Sequence, residues 1–443
     1  MEATAPLRIG VAGIGTVGSA LVHLIERHGN DLAVRSGRAI TITGVSARDR
    51  SKDRGVDLSA MTWFDQATEL AADPGNDVFV ELIGGADGTA KASVEAAIAA
   101  GKHVVTANKA LLAAHGNELA RQAEAAGVSL NFEAAAAGGI PIIKTLREAL
   151  AGNTVSRLYG ILNGTCNYIL TRMEQEGIGF EECLADAQRL GYAEADPSFD
   201  VGGQDAAHKL ALLTAIAFGT EVDGDSMYVE GISSISPADF EAADELGYRI
   251  RLLGVACRTD SGIEQRVHPT MIPKSSAIAN VTSVTNAVAV EADSVGELLL
   301  CGPGAGGEAT ASSVISDIAD IARGDRVGTF GRPASDLEPY RRAAMRAHEG
   351  GYYIRLAVYD RPGAFAAIAG RMAELGISLE SIVQRHRAPR AAAPGQLVPV
   401  EPAPVILITY DTHEADIRTA LDTIKADGHI ADAPQMIRIE QLG

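Results

Sequence analysis

The sequence predicts an α/β chain: a parallel-sheet domain first, a mixed α+β domain next, and a small α/β tail. Three observations carry this. Residues 7–12 are a short apolar run that stops at Gly13-Ile14-Gly15-Thr16-Val17-Gly18 and passes straight into helical periodicity. Residues 191–209, GYAEADPSFDVGGQDAAHK, crowd Glu194, Asp196, Asp200, Asp205 and Lys209 into a stretch too irregular for a surface helix. From Tyr352 onward, strand-like and helix-like patterns alternate around the turn Asp360-Arg361-Pro362-Gly363.

A chain of 443 residues has room for about three domains. At 47% hydrophobic and 21% charged, its composition is that of an ordinary globular protein. The formal charge of −19 argues against nucleic acid or an anionic membrane as partner. Anion sites must then come from local lysines, arginines and helix N-termini. Cys166, Cys183, Cys257 and Cys301 lie far apart without CxxC or Cys/His spacing, so neither a zinc site nor a disulfide framework is indicated. A reducing, cytoplasmic compartment is expected. No basic-then-apolar leader is visible at the N-terminus, and the longest apolar run, near 210–218, is far short of a membrane span.

After the glycine motif, Val17, Ala20, Leu21, Leu24 and Ile25 recur at helical spacing. Strand, glycine turn and helix make a Rossmann-like dinucleotide-binding pattern. Gly13 serves the tight turn, Gly15 lets the backbone approach a pyrophosphate, and Gly18 lets the helix pack on the sheet. The helix start, with Ile14, Thr16 and Val17, faces the phosphates. The next strand, 39–45, follows a long polar connection over 28–38. An NAD site would place an acid at its end, whereas here stand Ser46-Ala47-Arg48, then Arg50 and Lys52. The planar fork of Arg48 suits a 2′-phosphate, so NADP(H) is expected over NAD(H). Arg50 and Lys52 taken alone read equally as a solvated basic loop.

Further buried strands are expected at 77–82 and 103–106. The first ends near Gly84-Gly85, which allows close passage of a cofactor. The second ends in Thr106-Ala107-Asn108-Lys109, at the carboxyl end of the sheet where ligands bind, so Lys109 points towards the chemistry. The bland alternative is a solvated lysine at a helix start. A strand over 128–132 leads to Glu133 in EAAAAGGIPII, a carboxylate among small residues that leave carbonyls free for a hard cation.

The middle of the chain reads as strands at 156–162, 249–257, 264–271, 286–290 and 296–300, with helices over 167–176, 180–190 and 204–218. Asp205 and Lys209, four apart, share a helical face that continues through Leu212 and Ile216. That is a buried face with a polar entrance; a snorkelling surface lysine is the alternative. Residues 301–308, CGPGAGGE, form a second glycine loop, which puts Gly306 just before a helix aligning Val314, Ile318 and Ile321. This is another anion-friendly device, or else a flexible linker.

The 191–209 stretch, together with YGILNGTCNYIL at 159–170 and the TANK segment, resembles the homoserine dehydrogenases. The tail's βαββαβ order, with DRPG before its first helix, resembles the ferredoxin-like ACT domain, an amino-acid-sensing module. The resemblance implies NAD(P)H-dependent interconversion of L-aspartate 4-semialdehyde and L-homoserine, in threonine, methionine and isoleucine biosynthesis. It implies Lys209 as proton donor to the substrate oxygen, Asp205 as its orienting partner and Lys109 as rival donor. Glu194 and Asp200 would take the substrate's α-ammonium. Thr165 and the backbone beside it would take the α-carboxylate. The Gly306 loop would complete the cofactor site. Glu133, with the carbonyls of Ala136, Gly138 and Ile140, would hold a sodium ion. Threonine is the expected effector of the tail, although the long loop near 388–404 departs from a compact ACT pattern and a purely dimerising role stays open. A homo-oligomer, dimer or tetramer, is expected. The implied domains are 1–140, 141–308, a return segment at 309–335 and 350–443.

Two other readings remain. A phosphorylating semialdehyde dehydrogenase would use Cys166 as nucleophile, but no histidine stands near it to activate a thiol whose ordinary pKa is about 8.5. An amino-acid sensor built on a dehydrogenase body would have no need of Glu194, Asp205 and Lys209.

Overall fold

The structure is a computed structural model, and it describes residues 5–343, 349–359, 361–384 and 402–442. Asp360 of the DRPG turn, part of the polar connector before the tail, and the Ala/Pro-rich loop up to residue 401 lie outside the described residues.

The first layer system runs β1 (Leu7–Ala12), α1 (Thr16–Ser36), β2 (Ile40–Ser46), β3 (Thr62–Phe64), α2 (Ala67–Ala72), β4 (Val78–Glu81), α3 (Thr89–Ala99), β5 (His103–Thr106), α4 (Lys109–Ala125), β6 (Leu130–Asn131) and α5 (Glu133–Ala137). Its six strands are parallel in the order β3-β2-β1-β4-β5-β6. Strands β1, β4 and β5 are almost wholly buried, which explains why they read as continuous apolar runs. The chain reverses direction of winding between β1 and β4, and the crevice at their carboxyl ends is where such sheets bind ligands.

The polar connection expected over 28–38 is helix instead: α1 continues to Ser36 and stops only at Gly37, whose φ is 76°. Nothing in that stretch forbids helical dihedrals, and Asp31 and Arg35 pair at 2.9 Å one turn apart. Polarity marked a solvent-facing helix, not a loop.

The middle system begins with α6 (Ile142–Lys144) and a π-turn at Thr145–Ala149, then β7 (Val155–Ile161), α7 (Gly164–Glu176), α8 (Phe180–Arg189), α9 (Ser198–Val201) and α10 (Gln204–Phe218). After these come β8 (Tyr228–Val229), α11 (Pro237–Glu245), β9 (Tyr248–Thr259), β10 (Gly262–Pro273), β11 (Thr285–Ala292), β12 (Gly296–Pro303) and α12 (Gly307–Arg323). Helix α10 starts where the sequence placed it, because Gly203 turns through φ 89° and a run of apolar residues follows. Leu210, Leu212, Leu213 and Phe218 are buried, and each buried side chain of this size stabilises by about 1.5–3 kcal/mol. That anchoring holds the polar first turn of α10 rigidly in place. Helix α12 returns to pack against α1.

The tail is β13 (Glu349–Tyr359), α13 (Ala364–Glu374), β14 (Leu379–Gln384), β15 (Pro402–Thr409), β16 (Thr412–His413), α14 (Glu414–Ala426) and β17 (Gln435–Ile439). It is the expected βαββαβ unit with one feature the sequence did not suggest. Strand β17 pairs in parallel with β10, Thr270 beside Arg438 and Met271 beside Ile439, so tail and middle domain share one eleven-stranded sheet. The seam is charged and buried. Arg438 donates to both oxygens of Glu414 at 2.8 and 2.6 Å and stacks 4.6 Å from the Tyr228 ring. Arg266 pairs with Glu440 and Glu264, and Arg355 and Tyr353 both donate to Asp239.

Candidate active site

Two clefts' worth of chemistry meet at the carboxyl ends of the parallel strands. The first is a cleft of about 600 Å³ lined by Gly13, Ile14, Gly15, Arg48, Lys52, Gly84 and neighbours. Gly13 turns at φ 102°, and a Cβ there would lie 2.4 Å from the Leu82 carbonyl; at Gly18 a Cβ would lie 2.1 Å from the Gly13 carbonyl. No other residue fits either position. A Cβ on Gly15, by contrast, would meet open space, as a backbone that receives a ligand requires. Thr16, Val17 and Gly18 form the first turn of α1.

The basic residues after β2 divide by task. Arg54, which sequence reasoning missed, donates to the Ile14 carbonyl at 2.9 Å and to the carbonyls of Lys52 and Asp49. It fastens the loop to the glycine turn. Arg50 and Arg54 both stack on Trp63, at 5.7 and 5.6 Å. Arg48 and Lys52 remain on the cleft wall. At the far wall, the buried Glu81 accepts the amides of Ile83 and Gly84 and the Thr106 hydroxyl, which fixes both strand ends.

The second glycine loop closes over this region. Gly306, at φ 115°, precedes α12, and a Cβ on Gly307 would stand 3.0 Å from the Thr16 carbonyl. Two helix N-termini, of α1 and α12, therefore converge, which favours an anion between them.

The second half of the site is a buried carboxylate with a lysine on each oxygen. Lys209 Nζ donates to Asp205 Oδ2 at 2.8 Å and to the Leu162 carbonyl at 2.8 Å. Lys109 Nζ lies 3.1 Å from Asp205 Oδ1, brought there by its place at the start of α4. Burial alone would push the Asp205 carboxyl up. The Lys209 and Lys109 ammoniums and the Asn163 amide overcome it and hold Asp205 well below the usual carboxylate range. Asp200 is pushed up, by burial and then by the neighbouring Asp205 charge.

Asn163 organises this centre, and sequence reasoning did not single out its side chain. Its Oδ1 caps α7 by accepting the Cys166 amide at 2.8 Å, while Nδ2 donates to Asp200 and Asp205 at 2.8 and 2.9 Å. The available signal was an N-cap residue directly before Gly-Thr-Cys. Thr165 is buried, and its hydroxyl donates to the Tyr192 carbonyl at 2.6 Å, so that proton is already in use. Glu194 is exposed on the loop before α9, where its carbonyl accepts the Gln188 amide at 3.1 Å, and no hydrogen bond or ion pair joins its side chain to Lys109 or Lys209. Cys166 is fully buried, its thiol donates to the Asp200 carbonyl at 3.2 Å, and burial with the two nearby aspartates pushes its pKa well up. Such a thiol does not suit a nucleophile.

The Glu133 region is differently arranged from a carboxylate ligand site. Both Glu133 oxygens accept amides of α6, from Ile143 at 2.9 Å and Lys144 at 2.8 Å. The Gly138 carbonyl accepts Ser313 Oγ at 2.7 Å and the Ile140 carbonyl accepts the Ile142 amide. Ala136 is buried in α5. Among the described residues no group of three or more His, Cys, Asp or Glu could hold a metal ion, and no helix is long and apolar enough to cross a membrane.

Comparison with known proteins agrees with this geometry. Residues 13–133 match the homoserine dehydrogenase NAD-binding domain, 141–319 the homoserine dehydrogenase domain and 352–429 the ACT domain. The chain is 45% identical to a homoserine dehydrogenase of Pseudomonas aeruginosa over 99% of both chains, and 43% identical to one of Neisseria gonorrhoeae over 99% of both. A homoserine dehydrogenase structure from Thiobacillus denitrificans superposes with a TM-score of 0.92 at 42% identity, covering all of both chains. The chain thus belongs to the homoserine dehydrogenase family, oxidoreductases with a pyridine-nucleotide domain, and carries an ACT domain at its C-terminal end.

Proposed function

We propose that Lys209 delivers the proton to the carbonyl oxygen of L-aspartate 4-semialdehyde, that the enzyme prefers NADP(H), and that threonine acts through the ACT domain. The observation that carries the first point is the buried Asp205 with a lysine on each oxygen. An ammonium has three N–H donors. In Lys209 two are engaged by Asp205 and the Leu162 carbonyl, which leaves one aimed by the other two. A pyridine nucleotide held by the cleft of the glycine turn would, when bound, supply the hydride to the substrate carbon. Negative charge then grows on the substrate oxygen, and the two ammoniums that flank Asp205 are the positive groups placed to receive it. Lys209 gives its proton to that oxygen and recovers one from solvent. Lys109, about a third exposed, lies on the solvent side and supports the positive field. Asp200 takes the substrate's α-ammonium, which would relieve the repulsion it now has from Asp205. Glu194 reaches the same ammonium only if its loop folds inward, and the α7 N-terminus, rather than the Thr165 hydroxyl, receives the α-carboxylate.

A sodium ion near Glu133 would have to be held by main-chain carbonyls, because the Glu133 carboxylate is engaged by the amides of α6. The side chain does not fit as a ligand, and no step depends on the ion.

For cofactor choice, Arg48 on the cleft wall supports a 2′-phosphate partner. Arg48→Ala should raise KM for NADPH about tenfold, the effect of one lost charge-assisted contact, and leave KM for NADH nearly unchanged. Equal losses with both cofactors would remove Arg48 from this role.

The tail's reach into the site supports regulation. Tyr228 and Glu230 contact Arg438 of β17, and the same segment packs on the end of α9 and on Gly203 before α10: a Cβ on Gly231 would lie 2.4 Å from the Val201 carbonyl, and one on Gly203 would lie 3.5 Å from the Glu230 carbonyl. Assay of aspartate semialdehyde reduction by NADPH absorbance, with and without threonine, should show inhibition by threonine. A rate indifferent to threonine would leave the tail a docking or dimerising module.

A further inference from the structure

Asn286, near the start of β11, is 1% exposed, and among the described residues neither Oδ1 nor Nδ2 has a hydrogen-bond partner. Buried polar side-chain atoms are nearly always paired, because an unpaired one has lost water without gaining a partner. A loop and a helix start that the site depends on pack against this side chain. Asn286 stands opposite Gly302 in the β11–β12 ladder, and its carboxamide occupies the space beneath Gly304: a Cβ there would lie 2.0 Å from Nδ2 and 2.6 Å from Oδ1. On its other side, a Cβ on Gly164 would lie 3.4 Å from Oδ1. Gly304 belongs to the loop that carries Gly306 to the N-terminus of α12 and to Thr16. Gly164 follows Asn163, whose amide holds Asp200 and Asp205. The approach to Asn286 is strained as well, since Ser283 sits at φ 60°.

We propose that Asn286 is a positioning residue that joins the cofactor half of the site to the substrate half. When a pyridine nucleotide occupies the cleft, the glycine loop at 302–307 shifts, and the carboxamide then makes main-chain hydrogen bonds to that loop and to the start of α7. The amide thus sits unpaired in the free enzyme and paired in the cofactor complex, so its pairing favours cofactor binding. The inference rests on the cleft being the pyridine-nucleotide site.

Asn286→Leu tests it, because leucine's two methyls take the places of the amide oxygen and nitrogen. In the free enzyme the variant should melt at the wild-type temperature or above, since two unpaired groups have been replaced by apolar ones. Its Kd for NADPH, read from quenching of Trp63, the single tryptophan, should rise about tenfold. KM for the aldehyde should rise with it. A free Leu variant that melts several degrees lower would mean that the amide is paired without cofactor, and would overturn the proposal; so would a wild-type Kd. If the leucine variant does not fold, Asn286→Ala carries the same comparison through the rise in Tm produced by saturating NADPH. That rise should shrink, and a full wild-type rise would refute the role. Wild-type protein that shows no quenching by NADPH would instead overturn the cleft assignment itself.

Discussion

Lys209→Ala should lower kcat by about 10²–10⁴-fold, the usual worth of a positioned proton donor, while Kd for NADPH stays within a few-fold of wild type. The separation follows from where the side chain sits. Lys209 lies on α10, held by Asp205 and the Leu162 carbonyl, and does not line the cleft that contains the glycine turn. A pH effect should accompany the loss. Asp205 is ionised in the native protein because two lysines and an amide outweigh its burial. Its depressed pKa means that its stabilising contribution is complete above the ordinary aspartate pKa of about 3.9, and is lost only as pH falls through the lower folded value. Without Lys209, burial is opposed by Lys109 and Asn163 alone, so the Asp205 pKa moves up. With its folded and unfolded values closer together, Asp205 should cost Lys209→Ala less stability on acidification than it costs wild type, so the variant's acid limb is shallower, a difference that equilibrium melts between about pH 2 and 6 would detect. Coincident acid limbs would contradict it.

Arg438→Ala should destabilise the junction of tail and middle domain by about 3–5 kcal/mol, the penalty for removing one partner of a buried ion pair. Arg438 is 1% exposed and holds both oxygens of Glu414, itself 4% exposed. Among the described residues, the substitution leaves Glu414 paired with Arg418 alone, which is nearly half exposed. The seam it weakens is narrow, since β17 and β10 share two paired positions. Denaturant unfolding should show the tail separating first, with a midpoint well below that of wild type. Replacing both partners, Arg438→Met with Glu414→Leu, should recover much of the loss, because no lone buried charge then remains. A double variant as unstable as the single would mean that the seam is held by packing, not by charge balance.

Much of this site could be read from the chain. The glycine turn, Lys109 at the start of α4 and the 204–218 helix all obey local rules, with glycines where the backbone turns sharply and periodicity on either side. Asp205 and Lys209 were legible for the same reason, being four residues apart on one face. What escaped depends on partners distant in sequence. Asn163 gains its importance from Asp200 and Asp205, some forty residues on. Arg54 takes its role from a bond to Ile14, forty residues earlier in the chain. The pairing of β17 with β10 spans two positions and leaves no mark on either strand's pattern. Residues 28–36 misled because polarity alone does not separate a loop from a solvated helix.

The central claim is that the ammonium of Lys209, more than that of Lys109, protonates the oxygen as hydride arrives. Single-turnover reduction of aspartate semialdehyde by enzyme-bound NADPH, followed by absorbance in Lys209→Ala and in Lys109→Ala, compares the two directly. The larger loss, about 10²-fold or more, should fall on Lys209→Ala. A Lys209→Ala enzyme that turns over near the wild-type rate, or one less impaired than Lys109→Ala, would contradict the account.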